Sequence, residues 1–267
     1  YYTTYAVSRT VNFAQGASLM LGAVITFTLS SQWHWPTWLA VLVALSCCGL
    51  WSYFVEVIAV RPFVKRGSDA WLMATVALGL ILENIVLFSF GKDPRGQSSS
   101  LLQQGFDLGG LRLNTLQVLI PLIGFGLALL LTLAMRLTAT GKSLLAIAQN
   151  RSAAGLMGID SEKMIGLAFA LAGVFAGIAG ILIAPLYTVS AGMGTVFGIK
   201  AFAAAILGGI ESAAGVMVGG LILGILEALL VTAVGSTYAQ MFSFGLTIVV
   251  LAVRPVGLFG KRGINKV

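Results

Sequence analysis

The sequence predicts an all-α, polytopic transmembrane helix bundle, and three observations predict it. Of 267 residues, 58% are hydrophobic and 9% charged, with a mean hydropathy of +0.98. An ordinary soluble domain carries about 25% charged residues, so this composition excludes a water-facing surface. Uncharged runs of about 20 residues recur, the length a helix needs to cross a bilayer. The intervals between them are short and leave no room for an extramembrane domain. A span and its connection take roughly 30 residues, which gives about seven full spans, a half-helix and the remnant of an N-terminal span. All belong to a single domain over 1–267.

The chain begins at Tyr1, and no positively charged segment precedes an apolar core, so no signal peptide is expected. Tyr1 to Ser8 reads as the end of an earlier, truncated span. Ala14–Trp33 and Thr37–Val55 are two uncharged spans joined by a His34-Trp35-Pro36 break. After the basic loop at Arg61, Lys65 and Arg66, a third span runs from Ala70 to Phe90, interrupted by Glu83 and Asn84. Lys92 to Arg112 is a polar loop, and Leu113 to Met135 is the fourth span. Arg136 to Lys163 is the longest polar stretch, basic at Arg136, Lys142, Arg151 and Lys163.

A glycine-rich fifth span follows over Met164–Leu186, then a small-residue loop through Gly194. The apolar stretch ending at Gly208-Gly209 is too short to span and reads as a half-helix over Phe197–Leu207, with an irregular turn at Ile210–Gly215. Val216–Val234 and Tyr238–Val253 are the last two spans, ahead of the basic tail Lys261, Arg262 and Lys266.

Sixteen Lys+Arg against nine Asp+Glu give a formal net charge of +7. In a soluble protein this would suggest nucleic acid; in a bilayer protein, basic residues gather in cytoplasmic loops and set orientation. Loops 61–66 and 136–163 and the tail after Arg254 are therefore expected in the cytoplasm, with the His34 turn and loops 91–112, 187–195 and 235–237 outside. This alternation closes when the half-helix counts as one crossing that reaches the cytoplasmic side at Glu211. Lipid is a partner and nucleic acid is not expected.

No metal or catalytic cluster is visible. Cys47 and Cys48 are adjacent in an apolar run, a spacing that cannot form a metal motif, and the chain has one histidine. Gly141-Lys142-Ser143 resembles the end of a phosphate loop, but the first glycine of that motif would fall at Arg136. The chain is therefore expected neither to bind ATP itself nor to be an enzyme.

Glycines at four-residue spacing, Gly173 with Gly177, Gly215 with Gly219 and Gly220 with Gly224, suit close helix packing, and some of them alternatively mark hinges or an interface with a second subunit. Glu83, Glu211 and Glu227 lie in or beside apolar runs, where a carboxylate is a functional hypothesis by default. Against that, Glu211 fits a watery mouth, Glu83 a pair with some basic residue, and Glu227 the outer interface. Arg9 to Gly16 sets Arg, Asn12 and Gln15 between two apolar stretches, which fits either a pathway lining or an ordinary turn.

Several blocks together resemble the permease subunits of the branched-chain amino acid ABC importers. Val11-Asn12-Phe13-Ala14-Gln15-Gly16 is similar to that family's Asn-Phe-Ala-His-Gly signature, with Gln15 in place of the histidine. Arg61-Pro62 matches its basic loop. Ala148-Gln149-Asn150-Arg151-Ser152-Ala153-Ala154-Gly155-Leu156-Met157-Gly158-Ile159-Asp160 resembles the loop that docks on the ATPase. Lys200-Ala201-Phe202, Leu207-Gly208-Gly209-Ile210-Glu211-Ser212-Ala213-Ala214-Gly215, Gly219-Gly220 and Glu227 resemble the C-terminal signature, with Glu211-Ser212-Ala213-Ala214 departing from the usual small residues. Arg254-Pro255-Val256-Gly257-Leu258-Phe259-Gly260 closes the pattern.

The resemblance implies a bacterial inner-membrane protein with a cytoplasmic C-terminus. It implies a second permease subunit, two cytoplasmic ATPases that hold ATP and Mg2+, and an external binding protein, with no cofactor in this chain. It makes Asn150, Arg151, Ala153, Ala154, Gly155, Leu156, Gly158, Ile159 and Asp160 the coupling segment. Candidate pathway residues are Asn12 and Gln15 at the first break and Lys200, Phe202 and Ala205 around the half-helix. The expected cargo is a branched-chain or related amino acid, with urea or short amides on the same ABC mechanism as the nearest variant. The competing reading from a different class is an ion-coupled secondary transporter working through Glu83 or Glu227.

Overall fold

The structure is a computed structural model that describes residues 1–96, 105–108, 111–235 and, near the C-terminus, 238, 241–242, 244–245, 248–249, 252 and 257–260. The helices, in chain order, are α1 Tyr2–Ser8, α2 Gln15–Phe27, α3 Thr37–Val55, α4 Arg61–Lys65, α5 Trp71–Phe90, α6 Thr115–Leu137, α7 Ala139–Gln149, α8 Arg151–Leu156, α9 Ser161–Ile183, α10 Met193–Gly208 and α11 Ala213–Val234. Five described helical stretches are long and apolar enough to cross a membrane. The span expected at 238–253 lies for the most part outside the described residues, as does the tail at Lys261, Arg262 and Lys266.

Two spans end in wide π-helical turns, Thr28–Gln32 after α2, within the expected Ala14–Trp33, and Glu56–Val60 after α3, past the expected end at Val55. The second joins α3 to α4, so one continuous helix extends from Thr37 to Lys65. The loop after α5 contains a two-stranded antiparallel hairpin, Gly105–Leu108 against Leu111–Asn114, where the sequence suggested only a polar loop. Its end flows into α6 through a capping box between Asn114 and Gln117. The Arg136–Lys163 stretch also carries more order than expected: α7 precedes the short α8. Side chains begin three successive helices here. Thr138 Oγ1 accepts from Gly141 N–H at 3.0 Å, Asn150 Oδ1 from Ala153 N–H at 3.0 Å, and Asp160 Oδ1 from Glu162 and Lys163 N–H at 3.1 and 3.2 Å.

At the centre, α2 lies against α3, α9 and α10, and small residues make this possible. A Cβ on Gly22 would fall 2.6 Å from the Gly177 backbone, and one on Gly177 would fall 2.8 Å from Cys48 Sγ. Gly173 faces the Cys48 carbonyl and Ser52 in the same way. Ser18 and Ser52 share a hydrogen bond of 3.0 Å, and Cys48 Sγ donates to the Ser18 carbonyl at 3.2 Å. The outer surface is apolar: Leu50, Phe88, Leu122, Leu130, Ile225 and Leu229 are all exposed, as lipid-facing side chains are.

The half-helix α10 begins at Met193, four residues earlier than the sequence suggested, because Gly194 and Gly198 seat its first turns on Gly16. At its other end the last carbonyls of a helix need donors from outside. Leu258 N–H supplies one to Leu207 at 2.8 Å and Phe259 N–H another to Gly208 at 3.2 Å. Gly209 and Gly257, both at positive φ, let those two segments meet. Gly215 and Gly219 bring α11 onto the end of α10, and Ser212 Oγ caps α11 at 3.1 Å from Gly215 N–H.

Candidate functional site

Two cavities flank the crossing of α2 and α10, where Gly16 touches Gly194 and Gly198 backbone to backbone. The larger, about 360 Å³, opens between α2, α6, α9 and α11, with Gln15, Leu19, Leu131, Phe175 and Val216 on its walls. The smaller, about 300 Å³, lies between α2, α5 and α10 and is lined by Phe13, Met20, Leu80, Glu83, Thr195 and Phe202 among others. Gly16 and Gly198 belong to both walls. The bare backbone contact between them is therefore the partition.

The expected pathway residues divide among these surroundings. Phe202 lines the smaller cavity, packed against Phe13 with ring centroids 5.0 Å apart and against Tyr1 at 5.7 Å. Gln15 reaches the wall of the larger cavity, while its Nε2 donates to the Ala172 carbonyl at 2.6 Å and so ties α2 to α9. Asn12 is fully buried and lines neither cavity. Its Oδ1 accepts from Ala14 N–H at 3.0 Å and its Nδ2 donates to Gln15 Oε1 at 3.3 Å, so its amide organises the turn that starts α2. Ala205 is likewise fully buried and off both walls.

Lys200 lies on the other side of α10, where its Nζ donates to Glu227 of α11 in a short ion pair. Each side chain of this pair is 25% exposed. Facing α11, Lys200 is on the wall of neither cavity.

Each carboxylate singled out in the sequence has a partner. Glu211 accepts from Arg9 at 2.6 Å, Glu227 from Lys200, and Glu83 from the Thr195 hydroxyl at 2.5 Å. The sequence reading passed over Glu56, which is buried and accepts from Arg61 Nη2 at 2.6 Å. The signal was the five-residue spacing of Glu56 and Arg61, which a π-helical turn brings onto one face. Gly16, Gly194 and Gly198 were also missed as packing positions: Gly194 and Gly198 have the same four-residue spacing along α10 as the pairs singled out above, and Gly16 meets them from another helix. Conversely, Gly220 and Gly224 meet nothing within 4 Å of an added Cβ. Among the described residues they face open space on α11 and take no part in the packing within this chain.

The expected coupling segment forms a helix–turn unit: Asn150 caps α8, Gly158 turns the chain at φ +80°, and Asp160 caps α9. Lys163 N–H first, and then the Lys163 ammonium, hold the Asp160 carboxyl below the usual carboxylate range. One side of the unit faces inward. Ala154 is buried in a cluster with Val7, Val60, Ile147, Ile165 and Phe169, and Ile159 packs against it. The other side faces out, with Leu156 91% and Met157 83% exposed. Lys65 binds Glu162 at 2.7 Å, which joins the basic loop after α3 to the start of α9 beside this unit.

Among the described residues no group of three or more His, Cys, Asp or Glu could hold a metal ion. Residues 1–251 match the family described as "Branched-chain amino acid transport system / permease component". The chain is 30% identical over its whole length to the high-affinity branched-chain amino acid transport system permease protein LivH of Salmonella typhimurium, covering 91% of that protein. It is 31% identical, again over its whole length and 91% of the relative, to BraD of Pseudomonas aeruginosa, which carries the same description. A probable branched-chain amino acid transport permease protein LivH of Methanocaldococcus jannaschii is 30% identical over 96% of this chain and 85% of its own. No solved structure matches significantly. With its helical bundle, its half-helix and a family match that runs through nearly all of the described spans, the chain belongs to the branched-chain amino acid transport permease family.

Proposed function

We propose that this chain is the membrane-spanning permease subunit of an ATP-driven importer in the bacterial inner membrane, carrying branched-chain or related amino acids that an external binding protein delivers. Two cytoplasmic ATPases supply the ATP and Mg2+ chemistry, and a second permease subunit completes the membrane part. The C-terminus faces the cytoplasm, on the same side as the coupling unit.

The observation that carries this reading is the exposure of Leu156 and Met157 on a capped one-and-a-half-turn helix whose opposite side is anchored in the bundle. Two large apolar side chains projecting from a basic, water-facing segment want a partner groove, and an ion-driven transporter working alone has no use for one. Ala153 and Gly155 leave room beside them for a close approach. Closure of the ATPases would then push α8. The cluster around Ala154 passes that push to α1, α3 and α9, and the Gln15–Ala172 bond and the Gly22–Gly177 contact pass it to α2. Through Gly16, α2 carries α10 and both cavity walls with it, a rigid-body route from coupling helix to path.

The test is uptake of radiolabelled leucine into vesicles that hold this chain with its partner permease, ATPases and binding protein. ATP-dependent uptake that Gly155→Arg abolishes, with the complex still folded, supports the reading. Uptake driven by a proton gradient without ATPases sinks it.

A further inference from the structure

Glu83 stands apart from the other glutamates of the bundle. Glu56 faces Arg61, Glu162 faces Lys65, Glu211 faces Arg9 and Glu227 faces Lys200. Among the described residues Glu83 faces no cation within ion-pair distance, and its partner is the neutral hydroxyl of Thr195. It projects from α5 into the cavity of about 300 Å³ whose other walls are Phe13, Phe202, Leu80, Met20 and Ile199. Volumes of about 300–1,000 Å³ accept small molecules. An ionised carboxylate at membrane depth, among aromatic and aliphatic side chains and without a counter-charge, costs several kcal/mol. A mobile cation entering the cavity relieves that cost.

We propose that this cavity is a way-station for a zwitterionic α-amino acid with an aliphatic side chain, in which Glu83 receives the substrate's ammonium group. The inference rests on the permease reading above and names the site where the cargo pauses. The chemistry of the walls matches two of the three groups of such a molecule, its ammonium and its side chain. The carboxylate takes the ammonium, and the faces of Phe13 and Phe202 offer it further attraction through their ring quadrupoles. Leu80, Met20 and Ile199 give the aliphatic side chain an apolar wall. A single charged contact is also what release demands, because a permease that held its cargo through many strong bonds would not let it go. Neither a urea nor a simple amide carries a cation, so the same feature selects amino acids over those alternatives.

The site is seated on moving parts. Its walls come from α2, α5 and α10, and it shares Tyr1, Gly16 and Gly198 with the larger cavity. Sliding of α10 on α2 shifts Thr195 relative to Glu83, so displacement of the half-helix changes how far the carboxylate is free to meet an ammonium.

Glu83→Gln separates the charge from the hydrogen bond, since the amide oxygen still accepts from Thr195. In vesicles holding the complete transporter, leucine uptake and ATP hydrolysis are measured together. The expected result for Glu83→Gln is a fall in leucine moved per ATP of at least about tenfold, the worth of one hydrogen bond to a charged group, with hydrolysis stimulated by the loaded binding protein retained. Glu83→Asp is expected to recover part of the loss. Wild-type uptake by Glu83→Gln overturns the inference. Should Glu83→Gln fail to assemble, Phe202→Trp keeps the charge and fills the cavity, and leucine uptake is then expected to fall more than alanine uptake. An unchanged leucine-to-alanine ratio in that variant overturns the inference. A wild-type complex that moves no aliphatic amino acid with ATP refutes the permease reading itself, before Glu83 is touched.

Discussion

The side-chain amide of Gln15 donates to the main-chain carbonyl of Ala172 at 2.6 Å, across the interface between α2 and α9. Helical residues before the last turn already give their carbonyls to the i+4 amide, so this contact uses the second lone pair of Ala172 and costs α9 nothing. It also fixes the rotation of α2 about its axis, because Asn12 holds the other end of the same amide at 3.3 Å. Position 15 is thus both part of a cavity wall and a joint between two spans.

Gln15→Leu should therefore destabilise the fold as well as alter transport. The substitution leaves Asn12 Nδ2 buried without its acceptor, a loss of about 1–3 kcal/mol. Thermal unfolding in detergent is the measurement, and an unchanged midpoint would show that the joint carries no weight.

The glycines of α9 and α11 should separate by contact and not by spacing. Gly177→Val puts side-chain atoms into Cys48 and Leu45 and is expected to cost about 1–3 kcal/mol by overpacking, or to block folding. Gly224→Ala, with open space around it, should stay within about 0.5 kcal/mol of the parent. Paired unfolding curves decide this, and equal losses at the two sites would contradict the packing described here.

The Lys200–Glu227 pair makes a sharper case. Lys200→Met leaves Glu227 without its cation beside apolar surroundings. Because each side chain is a quarter exposed, the expected loss is about 1–3 kcal/mol, less than the 3–5 of a fully buried pair. Lys200→Met combined with Glu227→Leu should recover most of it. A double-mutant cycle with no coupling between the two positions would remove the pair from the account of α10–α11 packing.

Acid should loosen the cap of α9. The Asp160 carboxyl titrates below its usual value in the folded protein, so its contribution is fully present above the unfolded value near 3.8. That contribution is lost as pH falls through the lower folded value. Hydrogen exchange at the Glu162 and Lys163 amides, which Asp160 accepts, should speed up selectively in that window, and Asp160→Ala should show the fast exchange already at neutral pH. Exchange indifferent to both would mean that the cap does not hold the helix start.

The spans were legible because bilayer physics writes them into composition: a stretch without charges long enough to cross lipid has few alternatives to a helix. Thr37–Val55 was read to the residue as α3, and α5, α6 and α9 fell within a few residues of their expected ends. What escaped were features the composition does not print. The caps at Asn150 and Asp160 that order the 136–163 stretch went unread, and the hairpin in the loop after α5 depends on register between strands that the polar composition conceals. The early start of α10 depends on Gly16, which lies far away in the chain, and the end of α10 depends on amides of Leu258 and Phe259.

The sequence by itself determined that this is a membrane protein of helical spans, where most of those spans lie, and that the longest polar stretch runs from Arg136 to Lys163. Hydropathy is a property of neighbouring residues, so no fold is needed to read it. The tertiary structure decided which polar residues face a cavity and which face a partner. It turned Lys200 toward Glu227, buried Asn12 in a turn, and set Glu83 beside Thr195 on a cavity wall, facing no cation among the described residues. These assignments depend on the rotation of each helix about its axis. That rotation is set by backbone contacts such as Gly16 on Gly194 and Gly22 on Gly177, between residues that the sequence keeps more than a hundred positions apart.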